Sequence, residues 1–481
     1  MSVPVGVAAG HEATVEAGRV VLEGGGGAVD AGVAMMLVSC AAETIFTGLA
    51  GGGFATVYEA ATRTVTCVDF FVAVPGLGER RAGPGTAIEI TFVGQRVPYE
   101  IGPATVAVPG VPAGARHLWS RWGRLPWADV VAPGLAASYG TPFPRTHAEL
   151  LPRVAPAMCV GEGDLVYRHG DGSLLEAGDP LRHPDHHRAY ELLARDPDAF
   201  YSGEFADALL EALADGSALS QADLDAYAVV ESRPSVARFD DLTVHARGDD
   251  LDDVLGTLQA AGLAVPGDPH HDVASTLGLV AALRAPDRRA ETTNLVAVDE
   301  RGDACVITTS LGLGSGVWVP GFGVHLNSML GEGELIRAEL DPGVRMGSMM
   351  SPLVALDADG ALVAAAGAAG GSRIRPALVQ TLLRVLRGTP PQQAIDAPRL
   401  NALPDLVRLE PGFDAAVLEG LALAGVPTAV ADGLDPYFGG VSAISTGGAG
   451  SDPRRSGHAW LLPPLRSGAA DALTLRLPPS R

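Results

Sequence analysis

The chain has 481 residues, 47% of them hydrophobic, and sets 34 basic against 56 acidic side chains for a formal charge of −22. A chain of this length can bury a large core and hold two or more units, and its acidity argues against nucleic acid or an anionic membrane as partner. Every basic side chain is arginine, which removes a P-loop lysine, a Schiff-base lysine and a Ser-Lys dyad from the possible chemistries.

The N-terminal stretch Met1 to Gly6 has neither the basic region nor the apolar core of a secretory signal, so a cytoplasmic protein is expected. Helices are predicted over Glu12 to Glu23 and Val29 to Ala42, separated by the glycine run Gly24 to Gly27. The second helix is apolar but ends at Glu43 and Thr44. It is too short to cross a bilayer and reads as buried. After the glycine turn Gly48 to Gly53 a hairpin is expected, with Phe54 to Tyr58 against Val65 to Phe70. Residues 114 to 230 read as mostly helical, and Ser220-Gln221-Ala222-Asp223 has the form of a capping box. The segment Asp249 to Glu291 is polar, with Pro266, Pro269 and Pro286 around one helix candidate, Val273 to Leu283, and reads as a linker. Two hairpins follow: Leu295 to Ser310 turning at Arg301 to Asp303, and Leu353 to Ala366 turning at Asp357 to Gly360. A helix is then expected over Ile374 to Leu386. Strand pairs flanked by helices make a layered α+β protein.

The chemistry concentrates at two places. Thr292-Thr293 heads the alternating stretch Leu295-Val296-Ala297-Val298, behind the polar connection Ala285 to Glu291. A threonine at a chain end carries hydroxyl and amine on adjacent carbons, so the amine can act as base for its own nucleophile. Gly370-Gly371-Ser372-Arg373 ends an apolar strand and opens a helix, where free backbone N–H groups suit an oxyanion. The other motifs are weaker. The glycine runs complete no GxGxxG frame, and no GxSxG is present. Histidines at 183, 186, 187, 270 and 271 lack metal-ligand spacing and read as solvated loop residues. Cys40, Cys67, Cys159 and Cys305 form no CxxC and read as small buried side chains.

Taken in order, Gly27-Ala28-Val29-Asp30-Ala31, Gly51-Gly52-Gly53-Phe54, Val108-Pro109-Gly110, Leu125-Pro126-Trp127, Phe200 to Glu204, Thr292-Thr293, Gly314-Ser315-Gly316, Leu326-Asn327, Ser351-Pro352, Gly370 to Ile374 and Asp396 to Arg399 resemble the gamma-glutamyltransferase family of N-terminal-nucleophile hydrolases, over roughly residues 11 to 450. The resemblance implies a four-layer αββα sandwich made as one precursor and cleaved by itself between Glu291 and Thr292. A large part, 1 to 291, and a small part, 292 to 481, would stay intertwined. It implies Thr292 as nucleophile, Ser310 as a supporting hydroxyl, Gly370 and Gly371 as oxyanion-hole glycines, and a small amide or peptide as substrate. No cofactor and no metal are expected.

The substrate pocket departs from the family pattern. Phe71 follows Asp69-Phe70 where the family has an arginine for the glutamate α-carboxylate, and a phenyl ring cannot replace a bidentate guanidinium. The family's two serines read Ser348 and Met349. Its three ligands for the α-amino group read Gly312, Met329 and Glu332. Asn294 replaces a histidine after the threonine pair, and the family's Pro-Pro-x-Ser-x-Gly is not evident near Ala246-Arg247-Gly248. The expected activity is therefore amide hydrolysis or acyl transfer on a gamma-glutamyl or less polar acyl group, with Arg80 or Arg81 as replacement cations. The alternatives are an acylase for a non-glutamyl amide and a non-catalytic homologue that acts as a binding or scaffold protein.

Overall fold

The computed structural model describes residues 2–92, 95–196, 198–248, 251–285, 292–336 and 340–463. Two antiparallel sheets dominate. The first runs, side by side, His458–Leu461, Gly6–Ala9, Thr293–Val298, Ala304–Ser310, Gly52–Glu59, Thr64–Phe70 and Val230–Ser232. The second runs Gly448–Ser451, Gly440–Ser445, Leu362–Ala369, Leu353–Leu356, Leu242–Ala246 and Ser235–Phe239. The mixed helix-and-sheet class expected from the sequence is what the chain forms.

The central strands are apolar on both faces because both faces are covered. Successive side chains of a strand point to opposite sides. Along Thr293–Val298, Leu295 and Ala297 enter a core with Met35 and Leu37 of the helix Ala28–Ala42. Val296 and Val298 face the other way and meet Val354, Leu356, Ala365 and Ile444 of the second sheet. The far side of that sheet, with Leu353, Ala355, Ala366 and Ala368, packs on helices through Val254, Leu258, Leu279, Ile374 and Leu378. Ala28–Ala42 is buried along its whole length, as a sequence apolar but for Asp30 and Ser39 requires.

The helix after Ser220, the hairpin Gly52–Glu59/Thr64–Phe70 and the helix Ile374–Val385 follow the sequence closely. In the capping box, the Ser220 N–H and hydroxyl both donate to Asp223, at 2.9 and 2.6 Å. The expected linker is a correction. Within it, Val254–Ala264 and Val273–Leu283 are two helices that contribute Val254, Leu258, Leu279 and Leu283 to the core of the second sheet. Both start on aspartate caps, Asp253 and Asp272, which accept from Gly256 and Ser275 N–H at 2.7 Å each. The end of that segment, residues 286–291 with Pro286 and Glu291, lies outside the described residues.

The histidines are a second correction. His183, His186 and His270 are buried, while His187 is half-buried and His271 exposed. His183 stacks on His186 at 4.8 Å and donates from Nδ1 to the Gly323 carbonyl at 3.2 Å. His270 shares a hydrogen bond with the Pro398 carbonyl at 2.6 Å. His186 is held by ring contacts with His183 and Tyr190, while His270 also meets Arg384 at 3.0 Å and Asp268 at 3.3 Å. No group of three or more His, Cys, Asp or Glu among the described residues could hold a metal ion. Nor is any described helix long and apolar enough to cross a membrane. Cys40, Cys67 and Cys305 are buried thiols, Cys159 is half-buried, and none is bonded to another.

Candidate active site

Thr292 stands one residue before the strand Thr293–Val298 and is 2% exposed. Its Oγ1 accepts a hydrogen bond from the Gly370 N–H at 2.7 Å. Gly370 follows the strand Leu362–Ala369 of the other sheet and sits at φ 124°, a backbone state open to glycine alone at little cost. A short turn, Gly371–Arg373, then leads into the helix Ile374–Val385. The nucleophile candidate and the glycine donor are thus supplied by two different sheets where their ends meet.

One pocket collects most of the residues singled out in the sequence: Thr292, Ser310, Gly371, Phe71, Glu332 and Ser348, together with Met329 and Met349. Ser310 closes the strand Ala304–Ser310, and its hydroxyl accepts from the Gly312 N–H at 3.1 Å. The Ser348 hydroxyl accepts from the Met350 N–H at 3.2 Å. Phe71 is 1% exposed and tilts against Phe54 at 5.4 Å between ring centres. Gly312 lies behind Glu332 rather than on the pocket wall: at φ 68°, a side chain there would come within 2.6 Å of Glu332 Oε1. Of the described residues that line the pocket, only Glu332 is charged.

Sequence reasoning missed three residues of this wall and one behind it. Leu335, Met350 and Ile374 complete its apolar lining. Tyr99 donates from its hydroxyl to Glu332 Oε1 at 2.7 Å, lies 2.9 Å from the Ser328 hydroxyl and is buried with both. Burial first, and the Glu332 charge second, push the Tyr99 phenol well above its ordinary range. Tyr99 arrives on a hairpin, Thr86–Phe92 with Gln95–Ile101, whose alternating Ile88, Ile90 and Phe92 were its only sequence signal.

The two replacement cations are not at the pocket. Arg80 donates to the Leu210 and Leu219 carbonyls at 3.2 Å each, and Arg81 is exposed; neither lines the wall. The cation behind the wall is Arg247. It lies over the Phe54 ring at 4.1 Å and donates to the Ser348 and Met350 carbonyls at 3.4 and 3.5 Å. Asn294 also finds its place. Its Oδ1 accepts from Thr308 Oγ1 at 2.8 Å on the neighbouring strand, and its side chain presses on Gly367 of the second sheet, where a Cβ would collide with it.

Behind the threonine pair lies a buried polar group. Glu43, the residue after the helix Ala28–Ala42, accepts from Thr293 Oγ1 at 2.5 Å and from Thr14 Oγ1 at 2.8 Å. Burial pushes its carboxyl up to about 7.

Comparison with known proteins places this geometry in context. A glutathione hydrolase proenzyme of Bacillus subtilis (strain 168) is 24% identical over 502 residues, spanning 86% of this chain and 84% of that protein. An acylase ACY 1 proenzyme of Pseudomonas sp. (strain SE83) is 25% identical over 493 residues, spanning 87% and 86%. The crystal structure of a cephalosporin acylase from Bacillus halodurans superposes with a TM-score of 0.74 at 20% identity, covering 96% of this chain and 97% of that one, and so shares the fold. The family model for gamma-glutamyltranspeptidase matches residues 14–250 and 267–462. The chain belongs to the gamma-glutamyltranspeptidase family.

Proposed function

We propose that this protein is an amide hydrolase or acyltransferase with Thr292 as its nucleophile, matured by cleavage of its own Glu291–Thr292 bond. The observation that carries the proposal is the Gly370 N–H held 2.7 Å from Thr292 Oγ1 in a pocket shared with Ser310. That contact sets the glycine N–H beside the attacking oxygen, where it can turn to the carbonyl oxygen that gains charge during attack. In maturation the Thr292 hydroxyl adds to the Glu291 carbonyl and the C–N bond breaks, leaving an ester that water hydrolyses. The products are a carboxylate on Glu291 and a free amine on Thr292. In turnover that amine takes the hydroxyl proton as Thr292 attacks a substrate amide. Gly370 and Gly371 serve the oxyanion, Ser310 supports the nucleophile, and the substrate amine leaves. Water, or an amine acceptor, then releases the acyl group.

The two fragments, 1 to 291 and 292 to 481, stay associated in this reading. Both regions contribute adjacent strands to the first sheet: Gly6–Ala9 lies between His458–Leu461 and Thr293–Val298. The apolar cores on the outer face of each sheet and between them support a four-layer αββα arrangement.

Relatives named both glutathione hydrolase and acylase leave two acyl classes open. The pocket favours the second. Phe71, Met329, Leu335, Met349, Met350 and Ile374 make an apolar wall without a cation among its described residues. A free carboxylate there would cost several kcal/mol of desolvation, on the order of the whole affinity of a weak ligand. An acyl group with an apolar body, and an amine or other donor for Glu332, fits the wall.

The test is intact mass and denaturing electrophoresis of the purified protein beside Thr292→Ala. Two fragments that break before Thr292 and vanish in the variant support the nucleophile. A single folded, uncleaved chain in both rejects it and leaves a binding or scaffold role. Hydrolysis of 4-nitroanilides, gamma-glutamyl against neutral aliphatic acyl, then separates the two substrate classes.

A further inference from the structure

Glu43 has no assigned role in the chemistry above, yet it is hydrogen-bonded to the strand that follows Thr292. It is 1% exposed and caps the helix Ala28–Ala42, with its N–H donating to the Ser39 carbonyl at 2.8 Å. The carboxyl receives the Thr293 hydroxyl on one oxygen and the Thr14 hydroxyl on the other. It lines a small cavity with Phe46, Thr292, Thr293, Asn294, Asp452 and Arg455. Thr292 lines both this cavity and the acyl pocket. The carbonyl end of the helix dipole also points there and adds partial negative charge.

We propose that Glu43 is a positioning residue, the buried anionic partner of the amino group that cleavage before Thr292 would free. This rests on the reading of Thr292 as the nucleophile. A terminal amine is a useful base only if it is held in one orientation towards its own hydroxyl. Glu43 fixes the backbone beside it through Thr293 and offers charge to the ammonium form. The same carboxyl, tuned by burial towards neutrality, exchanges protons in the range where a terminal amine also titrates.

Other charged and titratable groups share the neighbourhood. Arg455 lies against Phe46 at 4.8 Å and draws the Glu43 carboxyl downward, against burial. Asp452 is committed to Arg399 at 2.6 Å and Arg454 at 3.1 Å. Cys40, one turn back on the helix, has its thiol pushed up to about 12 by burial. His147, beside Phe46 at 4.4 Å, is held neutral by burial and by His11 and Arg455.

The absence of lysine supplies a clean test. Reductive methylation with formaldehyde and cyanoborohydride labels only chain-terminal amines in this protein, and peptide mass spectrometry reads each separately. Labelling of the Thr292 amine is followed from pH 5 to 10, with the amino end of the large fragment as internal reference. In Glu43→Gln the Thr292 labelling curve is expected to move to lower pH by about one unit or more, with the reference curve unmoved. Thr14→Val, which removes only the second donor to Glu43, is expected to move it in the same direction by less, and serves where Glu43→Gln does not fold. Coincident curves in wild type and variants, or a Thr292 amine that resists the reagent throughout, overturn the role of Glu43. Absence of any Thr292 amine in the wild type overturns instead the reading on which it rests.

Discussion

Phe71 occupies the position at which the family resemblance expects an arginine, and it is packed as a core residue, 1% exposed against Phe54. Its ring shapes one side of the pocket while Glu332 provides the charge on another. Replacing the ring by a guanidinium gives a carboxylate-bearing acyl group a partner and takes apolar surface from a neutral one. Phe71→Arg is expected to shift the ratio of kcat/KM, gamma-glutamyl over neutral acyl anilide, upward by about tenfold or more. Steady-state kinetics on the two anilides check it. Glu332→Gln keeps the shape and the Tyr99 hydrogen bond and removes the charge. Its effect is expected in KM for amine-bearing acyl groups, with kcat nearly unchanged. Single residues such as Thr292, Ser310 and Gly371 were legible because each sits beside a local marker, a strand head, a strand end or a glycine pair. Glu43 was not. In the sequence it merely interrupts an apolar run, and its partners Thr14 and Thr293 are 29 and 250 positions away.

The strands around the nucleophile show how elements constrain each other. Thr293–Val298 and Leu362–Ala369 come closest at Asn294 and Gly367, where any Cβ on the glycine would strike the asparagine side chain. Gly367→Ala is expected to lower stability by about 1 to 3 kcal/mol, and Asn294→Ala made with it to restore part of the loss. Denaturant melts of the single and double variants measure the coupling. The elements themselves were readable where one periodicity ran long, as in Ala28–Ala42 and Ile374–Val385. They were misread where prolines bounded a short apolar helix, as with Val254–Ala264. There, Asp253 as a cap was the overlooked signal. The hairpin Ser235–Phe239 with Leu242–Ala246 escaped because its turn residues, Asp240 and Asp241, sit in a stretch rich in charge.

For the whole molecule, acidification is the informative stress. Burial lowers His11 and His183 to about 4 and His325 to about 3, and holds His147 and His186 well below the ordinary imidazole range. An imidazole whose folded value is depressed contributes stability above its unfolded value, and that contribution is lost as pH falls through the folded one. Each of the two shifts to about 4 corresponds to roughly 3 kcal/mol at most. Glu43 has the opposite sign. Its raised value means stability is full below the usual carboxylate range and declines as pH rises through about 7. Five rings outweigh one carboxyl, so thermal midpoints are expected to fall steadily from pH 6.5 down to 4. Glu43→Gln should leave that acid loss in place and remove only the decline towards pH 7. None of this was visible in the sequence. There His183 and His186 stood among Asp, Arg and Pro and looked solvated, whereas their burial is set by Tyr167, Trp318 and Tyr190 arriving from elsewhere in the chain.

The interleaved order of the first sheet has a consequence for biosynthesis. Thr292 meets its donor at Gly370, and the strand beside its own, Gly6–Ala9, is in turn flanked by His458–Leu461 at the far end of the chain. A ribosome must therefore release the chain through residue 461 before Thr292 has these surroundings. Under the proposed self-cleavage at Thr292, maturation then waits on the strand His458–Leu461. A chain truncated before residue 458 would then emerge as an uncut precursor, its threonine still locked inside a peptide bond.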